Sequence, residues 1–250
     1  MPLPPVLFED DALIAFDKPA DLPLAPDRRD PGVENLQELV RARLGPEAAL
    51  VHRLDADTSG LVLYAKTKAA LDFLSGQFQA KTVVKIQTAL TVGIPVADEF
   101  TVDLVMKEDE GRPGRMCVVK KHGQASVTAF TVREKFPPPA GGAGFAQVEC
   151  RPRTSRPHQV RLHLAETGTP VLNDPLYGDA TPLLLSGLKR GYKGRLDERP
   201  LFMRLALHAS GLTFTHPFTR MPQTLLAPLP KDFEVALKYL RKFGPAAARR

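Results

Sequence analysis

The 250-residue chain carries 34 Lys and Arg against 28 Asp and Glu, a formal net charge of +6, with 43% apolar residues, two cysteines and no tryptophan. That length leaves chain for a sizeable core, and the ordinary apolar share excludes wholesale disorder. No apolar run nears the roughly 18–20 residues that cross a bilayer. The N-terminal Met1-Pro2-Leu3-Pro4-Pro5 lacks the basic and apolar regions of a secretory signal, and Cys117 and Cys150 form no CxxC pair. The expectation is a cytoplasmic protein with free thiols and no membrane partner.

In chain order, Val6 to Phe8 and Leu13 to Phe16 flank Glu9-Asp10-Asp11 and predict a hairpin. Leu36 to Leu44 follows Asn35, a good N-cap, and predicts a helix. Gly60 to Ala65 is an apolar run of strand length, and Lys68 to Ala80 carries helical spacing. Val83 to Val92 alternates, with Lys85 and Gln87 on one face and Val84 and Ile86 on the other. Ser126 to Val132 and Phe145 to Cys150 read as strands, separated by a Pro- and Gly-rich loop at Pro137 to Gly144. Pro157 to Ala165 predicts a helix opened by proline, Gly211 to Thr215 and Thr224 to Leu226 predict strands, and Asp232 to Phe243 is an amphipathic helix. Ala246 to Arg250 reads as a frayed tail. Strands and helices do not alternate regularly, which predicts an α+β domain around a mixed, mostly antiparallel sheet with flanking helices.

Three stretches carry chemistry. Val51-His52-Arg53-Leu54-Asp55-Ala56-Asp57-Thr58-Ser59-Gly60 lies between a helix and a strand, where loops present reactive groups on a rigid frame. Arg151 to His163 concentrates arginines around Arg156-Pro157-His158-Gln159-Val160-Arg161. His158 and Arg161 share a helix face there, and the pattern suits phosphate or a buried carboxylate partner. Lys189-Arg190-Gly191-Tyr192-Lys193-Gly194-Arg195 puts four cations and one ring into seven residues, which is either a solvated loop or an RNA-contacting one. Asp55-Ala56-Asp57-Thr58 also imitates the nucleophile loop of haloacid-dehalogenase-type phosphatases, with Asp174 and Asp179 as magnesium ligands. That reading needs an apolar strand where His52 and Arg53 stand.

Taken together, His52-Arg53-Leu54-Asp55 with Thr58-Ser59-Gly60-Leu61 resembles the signature of the RluA-like RNA pseudouridine synthases. The resemblance runs from about residue 6 to 233. It includes Asp17-Lys18-Pro19-Ala20, Leu63-Tyr64-Ala65-Lys66-Thr67, Arg156 to His163, Gly168-Thr169-Pro170-Val171 with Asp174, Tyr177 and Gly178, then Leu207-His208-Ala209 and His216-Pro217. It implies the pseudouridine synthase fold with a central catalytic cleft, a single catalytic domain over residues 1–245, and no small RNA-binding domain in front. It implies an isomerase acting on uridine in structured rRNA or tRNA, working as a monomer without metal or organic cofactor and not on DNA. Asp55 would be the nucleophile, attacking the sugar C1′ or abstracting a proton from the sugar. Arg161 would be the cation paired with Asp55, and Arg53 would help displace the target nucleotide from its stack. His52, Thr58, Arg156, His158, Lys189, Arg190, Lys193 and Arg195 complete the expected RNA-binding set. The chain departs from the family pattern at Gln87, where a KxY motif reads Lys85-Ile86-Gln87 and a tyrosine would lie against the base. Ser155 and Asn173 replace family glycines, and both residues tolerate turn geometry. The alternative reading is a synthase-fold RNA-binding protein with weak or no isomerase activity.

Overall fold

A computed structural model describes residues 1–26, 32–138, 144–189, 191–195 and 197–243. Most of the Pro- and Gly-rich loop, Arg190 and the C-terminal tail lie outside the described residues. The elements are β1 (Val6–Glu9), β2 (Leu13–Lys18), α1 (Leu36–Leu44), β3 (Ala49–Leu50), β4 (Ser59–Ala65), α2 (Lys68–Gln79), β5 (Val84–Val92), β6 (Glu99–Glu108), β7 (Met116–Val118), β8 (Gln124–Phe136), β9 (Phe145–Pro152), α3 (Gln159–Glu166), α4 (Leu185–Leu188), β10 (Leu207–Thr215), β11 (Pro222–Leu226) and α5 (Lys231–Phe243). Strand pairing is mostly antiparallel, with a parallel pair between β4 and β10, so the class is α+β. The contacts gather into two compact units, residues 1–87 with 208–228, and residues 88–207 with those from 229 on.

In the first unit the strands run β1-β2-β4-β10, with β3 beside β4 and β11 beside β10. The β1–β2 turn closes because Asp10 Oδ1 accepts from the Ala12 and Leu13 N–H groups, both at 2.8 Å. Every residue of β4 is buried. Its alternate side chains feed two cores on opposite faces: Leu61, Leu63 and Ala65 pack with Ala70 and Leu74 of α2, while Val62 and Tyr64 pack with Leu36 and Val40 of α1. α1 matches the sequence prediction in both ends and cap, the Asn35 side chain accepting from Glu38 N. α2 has an N-cap the sequence reading passed over, Thr67, which accepts from Ala70 N.

The second unit holds the later half of β5 and the antiparallel run β9-β8-β6-β7. Ala146, Val148 and Cys150 of β9 point into one core with Val160 and Leu164 of α3 and Phe233, Ala236, Leu237 and Leu240 of α5. β6, β7 and the short helix α4 were not foreseen, and β8 is longer than expected at both ends. β5 also departs from simple alternation. Ala89, Leu90 and Thr91 are all buried in succession, the mark of a strand covered on both faces. The predicted third helix begins later than Pro157, because His158 stands at φ 52° in the left-handed region and helical geometry starts at Gln159.

Candidate active site

The loop from Val51 to Thr58 joins β3 to β4 in the first unit. Its acid, Asp55, is half-buried, with 19% of its side chain exposed. Thr58 N donates to the Asp55 carbonyl at 3.1 Å, which tightens the turn around Ala56 and Asp57. The more exposed Arg53 brings its Nη2 to 3.8 Å from Asp55 Oδ1, the outer limit of an ion pair. Thr58 and Ser59 are buried beneath the loop.

The loop is held from two sides. Lys18, at the end of β2, is fully buried. Its ammonium donates to the carbonyls of Pro19 (2.8 Å), Leu22 (3.0 Å) and Ala56 (2.7 Å), so a sheltered cation grips the peptide next to Asp55. His52 stacks on Phe78 of α2 with ring centroids 5.4 Å apart. Its Nε2 accepts from Leu63 N at 3.2 Å, which leaves the proton on Nδ1, facing the Arg53 carbonyl at 3.4 Å. Desolvation by the surrounding protein pushes the His52 imidazole down to about 4. The ring is held neutral, with both nitrogens turned to backbone groups.

Behind the loop, β4 and β10 approach so closely that a Cβ on Gly60 would lie 2.3 Å from the Ala209 carbonyl oxygen; Gly60 also has φ +110°. No other residue fits there. Ser59 Oγ and His208 Nδ1 meet at 3.0 Å in this contact. Lys85 and Gln87 follow on β5. Burial pushes the Lys85 amine down to about 8. Gln87 is partly buried, and its Oε1 has no hydrogen-bond partner among the described residues.

The second unit contains the arginine segment. Arg161 is fully buried on α3 and makes a bidentate pair with the equally buried Asp174, Nε to Oδ2 at 2.8 Å and Nη2 to Oδ1 at 2.7 Å. Asp174 Oδ1 also accepts from Leu176 N and Tyr177 N. The buried carboxylate partner that the arginine-rich pattern suggested is thus present in the same unit, at a position sequence reading had matched to a motif without giving it this task. His158 stands outside the helix, so it and Arg161 do not share a helix face, but both meet Tyr177: its Oη lies 3.1 Å from His158 Nδ1, and the Arg161 guanidinium sits 5.5 Å from its ring centre. Tyr177 Oη further accepts from Met116 N at 2.7 Å.

Arg156 is partly buried and its Nε donates to the Ala125 carbonyl at 3.2 Å. The Gln159 side chain locks this turn, donating to the Val127 carbonyl and Thr128 Oγ1 while accepting from Thr154 Oγ1 and Arg156 N. Asn173 stands at φ 57°, the left-handed geometry in which asparagine replaces glycine at little cost. Lys189, Lys193 and Arg195 are exposed. No group of three or more His, Cys, Asp or Glu with metal-binding geometry occurs among the described residues. Lys18, Asp174 and Tyr177 were visible in the sequence as motif members. The signal for a task was a lysine ending an apolar strand immediately before proline, and an acid 13 positions after a helical arginine.

Residues 12–166 match the family described as RNA pseudouridylate synthase. The chain belongs to this family. As a pseudouridylate synthase it is an isomerase of RNA uridine, and its loop, β4 and arginine segment all fall inside the matched span. It is 34% identical over 251 residues to the ribosomal large subunit pseudouridine synthase D of Xanthomonas campestris, covering 97% of this chain and 71% of that protein. It is 34% identical over 243 residues to synthase C of Vibrio vulnificus (94% and 69%) and 33% identical over 240 residues to synthase D of Neisseria meningitidis serogroup A (94% and 61%). The chain thus spans about three-fifths to seven-tenths of these relatives' lengths. Among solved structures, human RNA pseudouridylate synthase domain containing 4 superposes with TM-score 0.69 at 26% identity, covering 94% of this chain and 92% of that one. The human domain containing 1 superposes with TM-score 0.66 at 24% identity and supports the fold alone.

Proposed function

We propose that this synthase converts specific uridines of large-subunit ribosomal RNA to pseudouridine, with Asp55 as the nucleophile. The observation that carries the reading is the setting of Asp55. Its carboxylate is half-buried, on a loop whose backbone is fixed by the buried Lys18 ammonium and whose flank rests on the neutral His52 ring. A reacting carboxylate held on a rigid frame loses little freedom when the base arrives. The relatives' names supply the substrate class, ribosomal large-subunit RNA.

The reaction is an isomerisation. The C1′–N1 bond breaks, the uracil turns, C5 joins C1′, the C5 proton leaves and N1 takes one up. Asp55 opens the sequence by attack at C1′ or by removing a sugar proton. Reaching the bond requires extruding the base from its stack, at about a few kcal/mol. Arg53, exposed beside Asp55, is suited to occupy the vacated place. The exposed Lys189, Lys193 and Arg195 meet phosphates.

Gln87 supports a second reading, an RNA-binding protein of synthase fold with little turnover, because an amide has neither a stacking ring nor an ionisable proton. One experiment separates the two. Incubation of unmodified large-subunit rRNA with the protein, followed by pseudouridine mapping, gives new sites with the wild type and none with Asp55→Asn. Variant RNA affinity stays within a few-fold of wild type, since phosphate contacts dominate binding. Wild-type turnover by Asp55→Asn ends the nucleophile assignment, and absence of product from the wild type favours the second reading.

A further inference from the structure

The second unit carries a cluster of rings and ammonium groups that the chemistry above does not use. It is built where the chain leaves α4 and where α5 ends. The Lys189 ammonium lies 5.7 Å from the Tyr192 ring centre and 6.0 Å from that of Phe243. Lys242 places its ammonium 5.4 Å from the Phe243 ring. Tyr239, one helical turn earlier, stacks on Phe243 with centroids 5.9 Å apart and planes 23° from parallel. Lys189, Lys238 and Lys242 are exposed, and Tyr192, Tyr239 and Phe243 are each partly exposed.

Charge compensation sets this patch apart from its surroundings. Arg241 on the same helix is neutralised by bidentate bonds to Glu134, Arg204 by Asp232, and Arg133 and Arg151 by Glu149. Lys189, Lys193, Arg195, Lys238 and Lys242 have no carboxylate within ion-pair distance among the described residues. Positive charge left without a partner beside rings is suited to a chain that alternates phosphates with flat bases. Ammonium groups then take phosphates while exposed rings take bases, and stacking of this kind is tolerant of sequence.

We propose that Tyr192, Phe243 and the lysines 189 and 242 form a platform for a single-stranded segment of the substrate RNA, beyond the contacts of the 189–195 loop alone. The proposal rests on the RNA-substrate reading and adds the end of α5 to the binding surface. The test uses the full-length protein and two probes, an unmodified large-subunit rRNA transcript and a 12-nucleotide oligouridine. Lys189→Gln with Lys242→Gln removes two phosphate contacts, and the slope of log affinity against log salt for oligouridine flattens by about 1.4, at roughly 0.7 per contact on a single strand. Tyr192→Leu keeps every charge, so the slope stays while affinity falls roughly fivefold to a hundredfold. If the transcript binds wild type but the slope of the double variant and the affinity of Tyr192→Leu both equal wild type, the platform is overturned and the RNA reading stands. If only the slope changes, the patch is a charged surface without stacking and the platform is overturned as well. A wild type that binds neither probe overturns the RNA reading itself.

Discussion

The buried ammonium of Lys18 donates to the carbonyl of Ala56 at 2.7 Å, linking the end of β2 to the peptide that follows Asp55. With its bonds to Pro19 and Leu22, it anchors the loop by a group that cannot be replaced by an apolar one. Lys18→Met fills a similar volume but strands three carbonyls, each costing about 1–3 kcal/mol when buried and unmet. The expected outcome is a lower thermal midpoint and a turnover loss exceeding any loss in RNA affinity. Lys18→Arg does not restore activity, because a planar fork cannot meet three converging acceptors. Turnover and midpoint equal to wild type in Lys18→Met would remove the anchoring role.

Arg161 and Asp174 form a fully buried, bidentate pair. Removing one partner leaves a buried charge, at about 3–5 kcal/mol. Arg161→Ala and Asp174→Ala should each lower stability by that order in denaturant titration. An Arg161→Met, Asp174→Leu double variant should recover much of the loss, since a packed apolar pair dispenses with desolvating two charges. Turnover should not recover with it. If each single variant is as stable as wild type, the pair contributes nothing to the fold.

Gln87→Tyr tests the departure from the family pattern. The Gln87 Oε1 is shielded and has no hydrogen-bond partner among the described residues, so replacing the amide forfeits no bond there. The variant should fold with an unchanged midpoint. A ring against the uracil is worth about 1–3 kcal/mol, and turnover should rise, mostly in kcat. A folded variant with turnover at or below the parent level shows that the ring is not limiting.

Acid stability provides a fourth test. His163 is fully buried, its Nε2 2.8 Å from Ser126 Oγ, whose own hydrogen goes to the Leu104 carbonyl. The imidazole therefore donates from Nε2 and is neutral, and its Nδ1 meets no partner among the described residues. Burial pushes both His163 and His52 down to about 4. The unfolded chain takes up these protons near pH 6.5, so the stabilisation is complete above about 6.5 and is lost as pH falls toward 4. His163→Gln, which can still donate to Ser126, should flatten the midpoint-against-pH curve in that window. A curve parallel to wild type would show that His163 is protonated in the folded state.

The sequence alone determined the elements whose signals are local. α1 was legible because Asn35 and a helical apolar spacing agree, and α5 because its apolar stripe recurs at 3.6 residues. The β1–β2 hairpin followed from an Asp-rich turn between apolar runs. The loop carrying Asp55 was legible from the density of His, Arg and Asp within a few residues. β6 was passed over although Phe100, Val102, Leu104 and Met106 alternate, because charged and polar residues, Val105 apart, occupy its other face.

Tertiary structure decided what depends on distant partners. β8 reaches 13 residues because β6 and β9 supply hydrogen bonds on both sides, which no window of its own sequence encodes. Nothing local marks Lys18 as buried. It is tolerable there because carbonyls converge on it, two from the residues just after it and one from 38 residues away. Likewise, a helical arginine becomes half of a buried pair only when the chain returns 13 residues later with Asp174 at bonding distance. Propensity and periodicity are properties of neighbours in sequence. The satisfaction of a buried charge is a property of neighbours in space, and only the folded chain assigns those.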